Sequence, residues 1–182
     1  MKPITEITGR LGNQMFQFAA LYSIAKEFGT DYYFQDQRWF IKNEEAIRAL
    51  YSSGIGYDHR VSIHVRRTDM VNNNFDINLS ETDYYRLAMK IFPKSQFLVF
   101  SDDTKWCKQQ KIFKNCDFSE GKNEIEDLNA MASCQHNIIA NSSFSWWAAY
   151  LNKNPDKVVI CPEFEYQDHI ERRIRPQEWI RL

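Results

Sequence analysis

A chain of 182 residues that is 43% hydrophobic and 26% charged has enough apolar sequence for a core and too little compositional bias for disorder. Its formal net charge of −1 gives no electrostatic case for nucleic acid or an anionic membrane surface as a partner, and no apolar run approaches the length of a transmembrane helix. Four cysteines without a C-x-x-C pair or zinc-like spacing read as reduced thiols, and Met1 to Glu6 opens no signal-peptide apolar run, so the expected location is cytoplasmic.

Ile4 to Ile7 reads as a short strand, Gly9 to Gln14 as a loop and Met15 to Phe28 as a helix, with Phe16, Ala19, Ala20, Ser23, Ile24 and Glu27 at helical spacing. A glycine-bearing turn between strand and helix presents backbone N–H groups and a dipole to an anion, although Gly9 and Gly12 also suit a tight turn for steric reasons alone. Asn13 and Gln14 could contact a ligand or cap the helix. Asp31 to Gln35 reads as a second strand and Asn43 to Tyr51 as a helix, followed by a candidate linker at Ser52 to Gly56.

Val61, Ile63 and Val65 alternate with Ser62, His64 and Arg66, the period of a strand, and two arginines stand where it ends. Arg66 there suits a phosphate or diphosphate, because a guanidinium offers a planar fork of donors. Equally, a strand can end in solvated arginines paired with acids. Asp69 could orient a guanidinium or meet a ligand hydroxyl, and Arg67 falls on the opposite face if the strand continues. Ser80 or Thr82 can cap a helix to about Ile91, with Tyr84, Leu87, Ala88 and Ile91 inward. Gln96 to Phe100 is a buried strand ending in Ser101-Asp102-Asp103, where either acid caps the next helix or contacts a ligand. With no third carboxylate close in sequence, no metal site is expected.

Ile112 to Cys116 is a weak strand, Glu124 to Cys134 a helix with acids in its first turn, and His136 to Ala140 a strand. Asn141 to Trp147 then forms a strand-to-helix turn rich in hydroxyls (Ser142, Ser143, Ser145), compatible with phosphate. Lys157 to Cys161 is a last strand, and Arg172, Arg173 and Arg175 read as a solvated face of the tail. From residue 61 onward strands and helices alternate, which predicts a parallel, doubly wound sheet with its βα turns along one edge.

These stretches carry a resemblance. Gly9-Arg10-Leu11-Gly12-Asn13-Gln14-Met15-Phe16-Gln17, His64-Val65-Arg66-Arg67-Thr68-Asp69, Phe100-Ser101-Asp102-Asp103-Thr104-Lys105-Trp106 and His136-Asn137-Ile138-Ile139-Ala140-Asn141-Ser142-Ser143-Phe144-Ser145-Trp146-Trp147 are similar, in order, to four motifs of the α-1,2-fucosyltransferases, glycosyltransferase family 11. The resemblance implies a GT-B-like α/β fold: a reduced N-terminal α/β part on the acceptor side (1–58) and a Rossmann-like donor-binding domain (59–182). It implies an inverting enzyme of bacterial or viral rather than Golgi type. Fucose would pass from GDP-fucose to a glycan hydroxyl, with no cofactor and no required metal.

By the same resemblance Arg66 would hold the β-phosphate and leaving group, with Asp69 beside it as the second catalytic residue. His64 would help to shape the site. Asp102 would lie beside the guanosine, and Ser142, Ser143 and Ser145 near the diphosphate. Gly12 and Asn13 would face the donor across the cleft. Thr68 and Met70 stand where the family usually has Gly and Tyr, and R-R-T-D is similar to the form in α-1,6-fucosyltransferases. Only Asp36 to Arg60 separates the second strand from the arginine strand, where family members carry a much longer acceptor-side stretch. Two alternatives therefore stand beside the α-1,2 reading: a non-catalytic GDP-sugar-binding remnant, or a transferase with another GDP-sugar or linkage. Glu6, Asp36 and Asp69 are the candidates for the base that an inverting transfer needs.

Overall fold

The computed structural model describes residues 9–28, 57–71, 75–121, 123–164 and 175–182, and the chain divides into two units, 1–54 and 55–182. The elements read at Ile4–Ile7, Asp31–Gln35, Asn43–Tyr51 and Ser52–Gly56 lie outside the described residues, as do Arg172 and Arg173. In the first unit the described element is α1, Leu11–Phe28. It starts four residues before the expected position, so Gly12, Asn13 and Gln14 are its first turn rather than a loop. The turn closes instead on Gly9, whose φ of 87° is the left-handed conformation open to glycine. Gln14 ties it there, donating from Nε2 to the Gly9 carbonyl at 2.6 Å and from its backbone N–H to Arg10 at 3.0 Å. Met15, Phe16, Ala19, Ala20, Leu21 and Ser23 are buried, whereas Glu27 is exposed.

The second unit is a six-stranded, wholly parallel sheet in the order β3-β2-β1-β4-β5-β6. Its strands are β1 Asp58–Val65, β2 Phe97–Ser101, β3 Asp117–Phe118, β4 Cys134–Ile138, β5 Val159–Cys161 and β6 Ile180–Arg181. The connecting helices are α2 Tyr84–Lys90, α3 Thr104–Gln109, α4 Glu124–Ser133 and α5 Ser143–Leu151. This is the doubly wound order, and it reverses between β1 and β4.

β1 is buried on both faces. Val61, Ile63 and Val65 join Tyr84, Tyr85, Ala88 and Phe92 from α2 and its C-terminal end, and Cys107 of α3, in one apolar cluster. The opposite face is polar yet closed. Asn137 of β4 donates to Ser62 Oγ at 2.7 Å and to the Met131 carbonyl of α4 at 2.8 Å. Asn152, which caps α5, donates to Asn137 Oδ1 and to the Cys134 carbonyl, both at 2.7 Å. Lys157 closes the last turn of α5 on the Ala149 and Asn152 carbonyls. Strand alternation thus sends polar residues inward, and Ser62, Asn137 and Asn152 are tolerated because they partner one another there.

Several boundaries differ from the sequence reading. Ile112 lies in a 3-10 turn, Lys111–Phe113, and the strand starts later, at Asp117. β4 starts at Cys134, directly after α4, because its edge register is set by pairing with β1 (Ile63 opposite Ile138) and β5. On α2 the inward face is Tyr84, Tyr85 and Ala88, while Leu87 and Ile91 are exposed. Arg175 is buried rather than solvated: its Nη1 donates to the Pro162 and Glu163 carbonyls, and β6 follows as an edge strand on β5. Trp179 packs on Trp146 of α5 with ring centroids 5.8 Å apart.

Replacing Asn137 by Ala would remove one buried hydrogen-bond partner each from the Met131 carbonyl, Ser62 and Asn152. The expected loss is about 2–4 kcal/mol of unfolding free energy in urea. Asn152→Ala should cost less in that background than in the native chain, because both act in one network.

Candidate functional site

In a parallel sheet all strand C-termini share one edge, so the turns after β1, β2 and β4 are neighbours. Register makes this concrete: Val65 lies opposite Ser101, and Ile63 opposite Ile138. Arg66–Asp69, Asp102–Asp103 and Asn141–Ser145 therefore gather where the strand order reverses, the position at which open α/β sheets bind ligands.

Arg66 emerges directly after β1 with its side chain only 11% exposed and is bracketed by two carboxylates. Nη1 lies 2.9 Å from Asp102 Oδ2, and Nη2 donates to Asp69 Oδ2. The two acids differ: the Asp69 side chain is 57% exposed and the Asp102 side chain 17%. Asp102 also accepts at Oδ1 from the backbone N–H of Arg67 at 2.9 Å, and at Oδ2 from the Thr68 hydroxyl at 2.6 Å. It is the clasp between the first two turns, with both oxygens hydrogen-bonded within the protein. The neighbouring acid does the capping: Asp103 Oδ1 accepts from the Trp106 N–H at the start of α3.

Arg67 is a strut. The strand ends at Val65, so alternation no longer governs its direction. Its guanidinium lies 4.0 Å from the centre of the Trp106 ring, pairs with Asp103 at 3.1 Å and donates to Ser80 at 3.2 Å. Thr68, Ser80 and Trp106 were not singled out as site residues by the sequence reading. Their signal is positional: each stands beside the C-terminal edge of a strand, but their pairing depends on the folded register.

The third turn divides its hydroxyls. Ser145 is fully buried, accepting from the Ala140 N–H at 3.2 Å and donating to the Ser142 carbonyl at 3.3 Å. It stitches the turn from within. Ser142 is the N-cap of α5 but makes no side-chain capping bond, and Ser142 and Ser143 are half-buried at the edge. The start of α5 carries the positive end of its dipole. Asn141 anchors the turn by donating to the Ile77 carbonyl at 2.8 Å.

His64 lies beneath the edge, buried, with its ring 5.5 Å from Phe144 and no partner for Nδ1 among the described residues. Burial lowers its pKa to about 4, against the pull of Asp102, so the imidazole is neutral at pH 7. Tyr85 fixes the backbone here by donating to the His64 carbonyl at 3.1 Å. Gly12 and Asn13 stand in the first turn of α1 in the first unit. Among the described residues no cluster of His, Cys, Asp and Glu is placed to hold a metal ion, and no helix is long and apolar enough to cross a membrane.

Comparison with known proteins agrees with this layout. Residues 26–182 match the family model described as glycosyl transferase family 11, a span that includes all three turns and leaves Gly9–Gln17 outside. The chain is 32% identical over 176 residues to an alpha-1,2-colitosyltransferase of Escherichia coli, covering 82% of this chain and 61% of that protein. It is 33% identical over 132 residues to the Escherichia coli O-antigen biosynthesis glycosyltransferase WbnK, covering 66% of this chain and 44% of that one. With a galactoside 2-alpha-L-fucosyltransferase of Caenorhabditis elegans it shares 26% over 198 residues, covering 90% of this chain and 54% of the relative. The chain spans roughly half the length of these curated relatives. No solved structure matches it.

The buried histidine predicts a pH dependence. Its pKa is about 6.5 unfolded and about 4 folded, so the unfolded chain takes up the proton first as pH falls. The stability it contributes is complete above pH 6.5 and is lost progressively down to about pH 4. Between pH 7 and pH 5 urea unfolding should lose about 2 kcal/mol from this group, a loss absent in His64→Leu.

Proposed function

The chain belongs to glycosyl transferase family 11, the family of the α-1,2-fucosyltransferases, and from that premise we propose that it transfers fucose from GDP-fucose to a glycan hydroxyl with inversion, forming an α-1,2 linkage. The observation that carries the reading is that Arg66 and the start of α5 follow β1 and β4, the two neighbouring strands at which the sheet order reverses. In this reading the sheet is the donor half of a GT-B-like enzyme.

A sugar nucleotide leaves as a diphosphate, so negative charge grows on the β-phosphate as the glycosidic bond breaks. Arg66 meets that charge with a fork of fixed donors. The N–H groups of α5, with the Ser142 and Ser143 hydroxyls, meet the remaining phosphate oxygens. His64 is neutral and adds no charge, so the anion is balanced by the guanidinium and the helix dipole. Donors aimed at charge that appears only in the transition state raise turnover more than ground-state affinity. Asp69, the more exposed of the two acids on Arg66, is the one a phosphate displaces. Its released carboxylate then stands beside the reacting centre, where an acceptor hydroxyl must lose a proton.

A second donor is favoured by one finding: the relative matched over 82% of this chain is named for colitosyl transfer. Colitose is fucose lacking one hydroxyl. A site that hydrogen-bonds that hydroxyl discriminates strongly against the deoxy sugar, whereas an apolar site does not.

Calorimetric titration with GDP, UDP and CMP tests the base, and mass spectrometry of products with fucosyl and colitosyl donors over a panel of galactosides tests the sugar. No preference for GDP would refute the base assignment, and firm binding without any product would favour a non-catalytic GDP-sugar binder. Arg66→Ala is expected to lower turnover by about 10²–10³, with Arg66→Lys nearly as poor because the fork is lost. An unchanged turnover in Arg66→Ala, with a lowered melting temperature, would make Arg66 a structural ion-pair residue instead.

A further inference from the structure

We infer that Thr68 is a positioning residue, whose hydroxyl acts through the Asp102 carboxylate to fix the angle at which Arg66 presents its guanidinium. The inference rests on the reading of this edge as a diphosphate site. It starts from one oxygen: Asp102 Oδ2 accepts from Thr68 Oγ1 at 2.6 Å and lies 2.9 Å from Arg66 Nη1. The other oxygen, Oδ1, accepts from the backbone N–H of Arg67 at 2.9 Å and of Thr68 at 3.5 Å.

The torsion that turns an aspartate carboxyl is broad, so its plane is set by hydrogen bonds rather than by rotamer preference. The backbone N–H groups hold only Oδ1. The Thr68 hydroxyl holds Oδ2, the atom that faces Arg66, by a bond strengthened by the carboxylate's charge. Removing it takes away the one side-chain hydroxyl bond to the oxygen that faces Arg66 and loosens the angle of the guanidinium. Asp69 lies three residues along the same turn and is largely exposed, whereas Asp102 belongs to the turn after β2 and provides an outside reference.

The test is a double-mutant cycle read by GDP titration of the full chain, with melting temperatures recorded for every variant. Thr68→Val keeps the shape and removes the hydroxyl. It should weaken GDP binding by roughly threefold to tenfold, and Thr68→Ser should restore affinity to within about twofold. In an Arg66→Lys background the same Thr68→Val change should cost less than about twofold, because an ammonium has no plane to aim. Equal losses in both backgrounds, or no loss with Arg66 present, would overturn the inference while leaving the donor reading intact. Wild-type protein that ignores GDP ends the donor reading. The same four proteins are then titrated with inorganic pyrophosphate, where absence of binding, or equal losses in the two backgrounds, overturns the role of Thr68 as well.

Discussion

Everything at the candidate site depends on β1 lying between β2 and β4 in parallel register. Because the three strands point the same way, the turns that follow them have nowhere to go but one edge. Because the order reverses at β1 and β4, the chain leaves that edge in opposite directions and opens a crevice there. β1 can occupy this position only if both its faces are acceptable inside the protein. The apolar face is filled by α2 and α3, and the polar one by the Ser62–Asn137–Asn152 network with α4 and α5. A buried amide network specifies register more sharply than apolar contact does, since a slip by one residue would leave every member without its partner.

On this frame the edge holds two arginines and three aspartates, and the roles of the charges follow from depth. Asp103 and Arg67 are spent on α3, Trp106 and Ser80. Asp102 is spent on the backbone of the first turn and on Arg66. What remains adaptable is the pair between Arg66 and the exposed Asp69. On the proposed reading, an exchangeable partner suits release of a diphosphate: an isolated cleft arginine would be poorly oriented, and a fully sequestered one would have no face for the ligand. The start of α5 complements it with the positive end of a helix dipole.

How far the residues alone led can be judged element by element. The parallel sheet was legible because apolar runs of strand length alternate with helical spacing from Val61 to Cys161, and the family was legible because four short motifs follow in order. The motif turns were legible as turns. Which hydroxyl or carboxylate in each turn faces outward was not. Ser142, Ser143 and Ser145 are chemically alike in a one-dimensional pattern, yet Ser145 points back to the Ala140 N–H because it lies one turn into a helix packed on the strand end. Arg175 looked like tail charge next to two other arginines, and only the pairing of β6 with β5 brings it under the Pro162 and Glu163 carbonyls.

The sequence by itself determined the alternation of strands and helices from Val61 to Cys161 and the chemical kinds of group delivered to the sheet edge, since periodicity and residue type are local properties of the chain. It also determined the family, because the motifs are contiguous. Tertiary structure alone decided that Asp102 is a clasp and Asp103 a cap, that Arg67 is a strut on Trp106, and that Thr68 speaks to Arg66 through a neighbouring strand's carboxylate. Apart from Asp103 and Trp106, which lie three residues apart in one capping turn, these partners are 34 to 39 residues apart, and no spacing rule links them. They meet because parallel pairing sets Val65 beside Ser101, a register fixed by packing on both faces of the sheet rather than by any local preference.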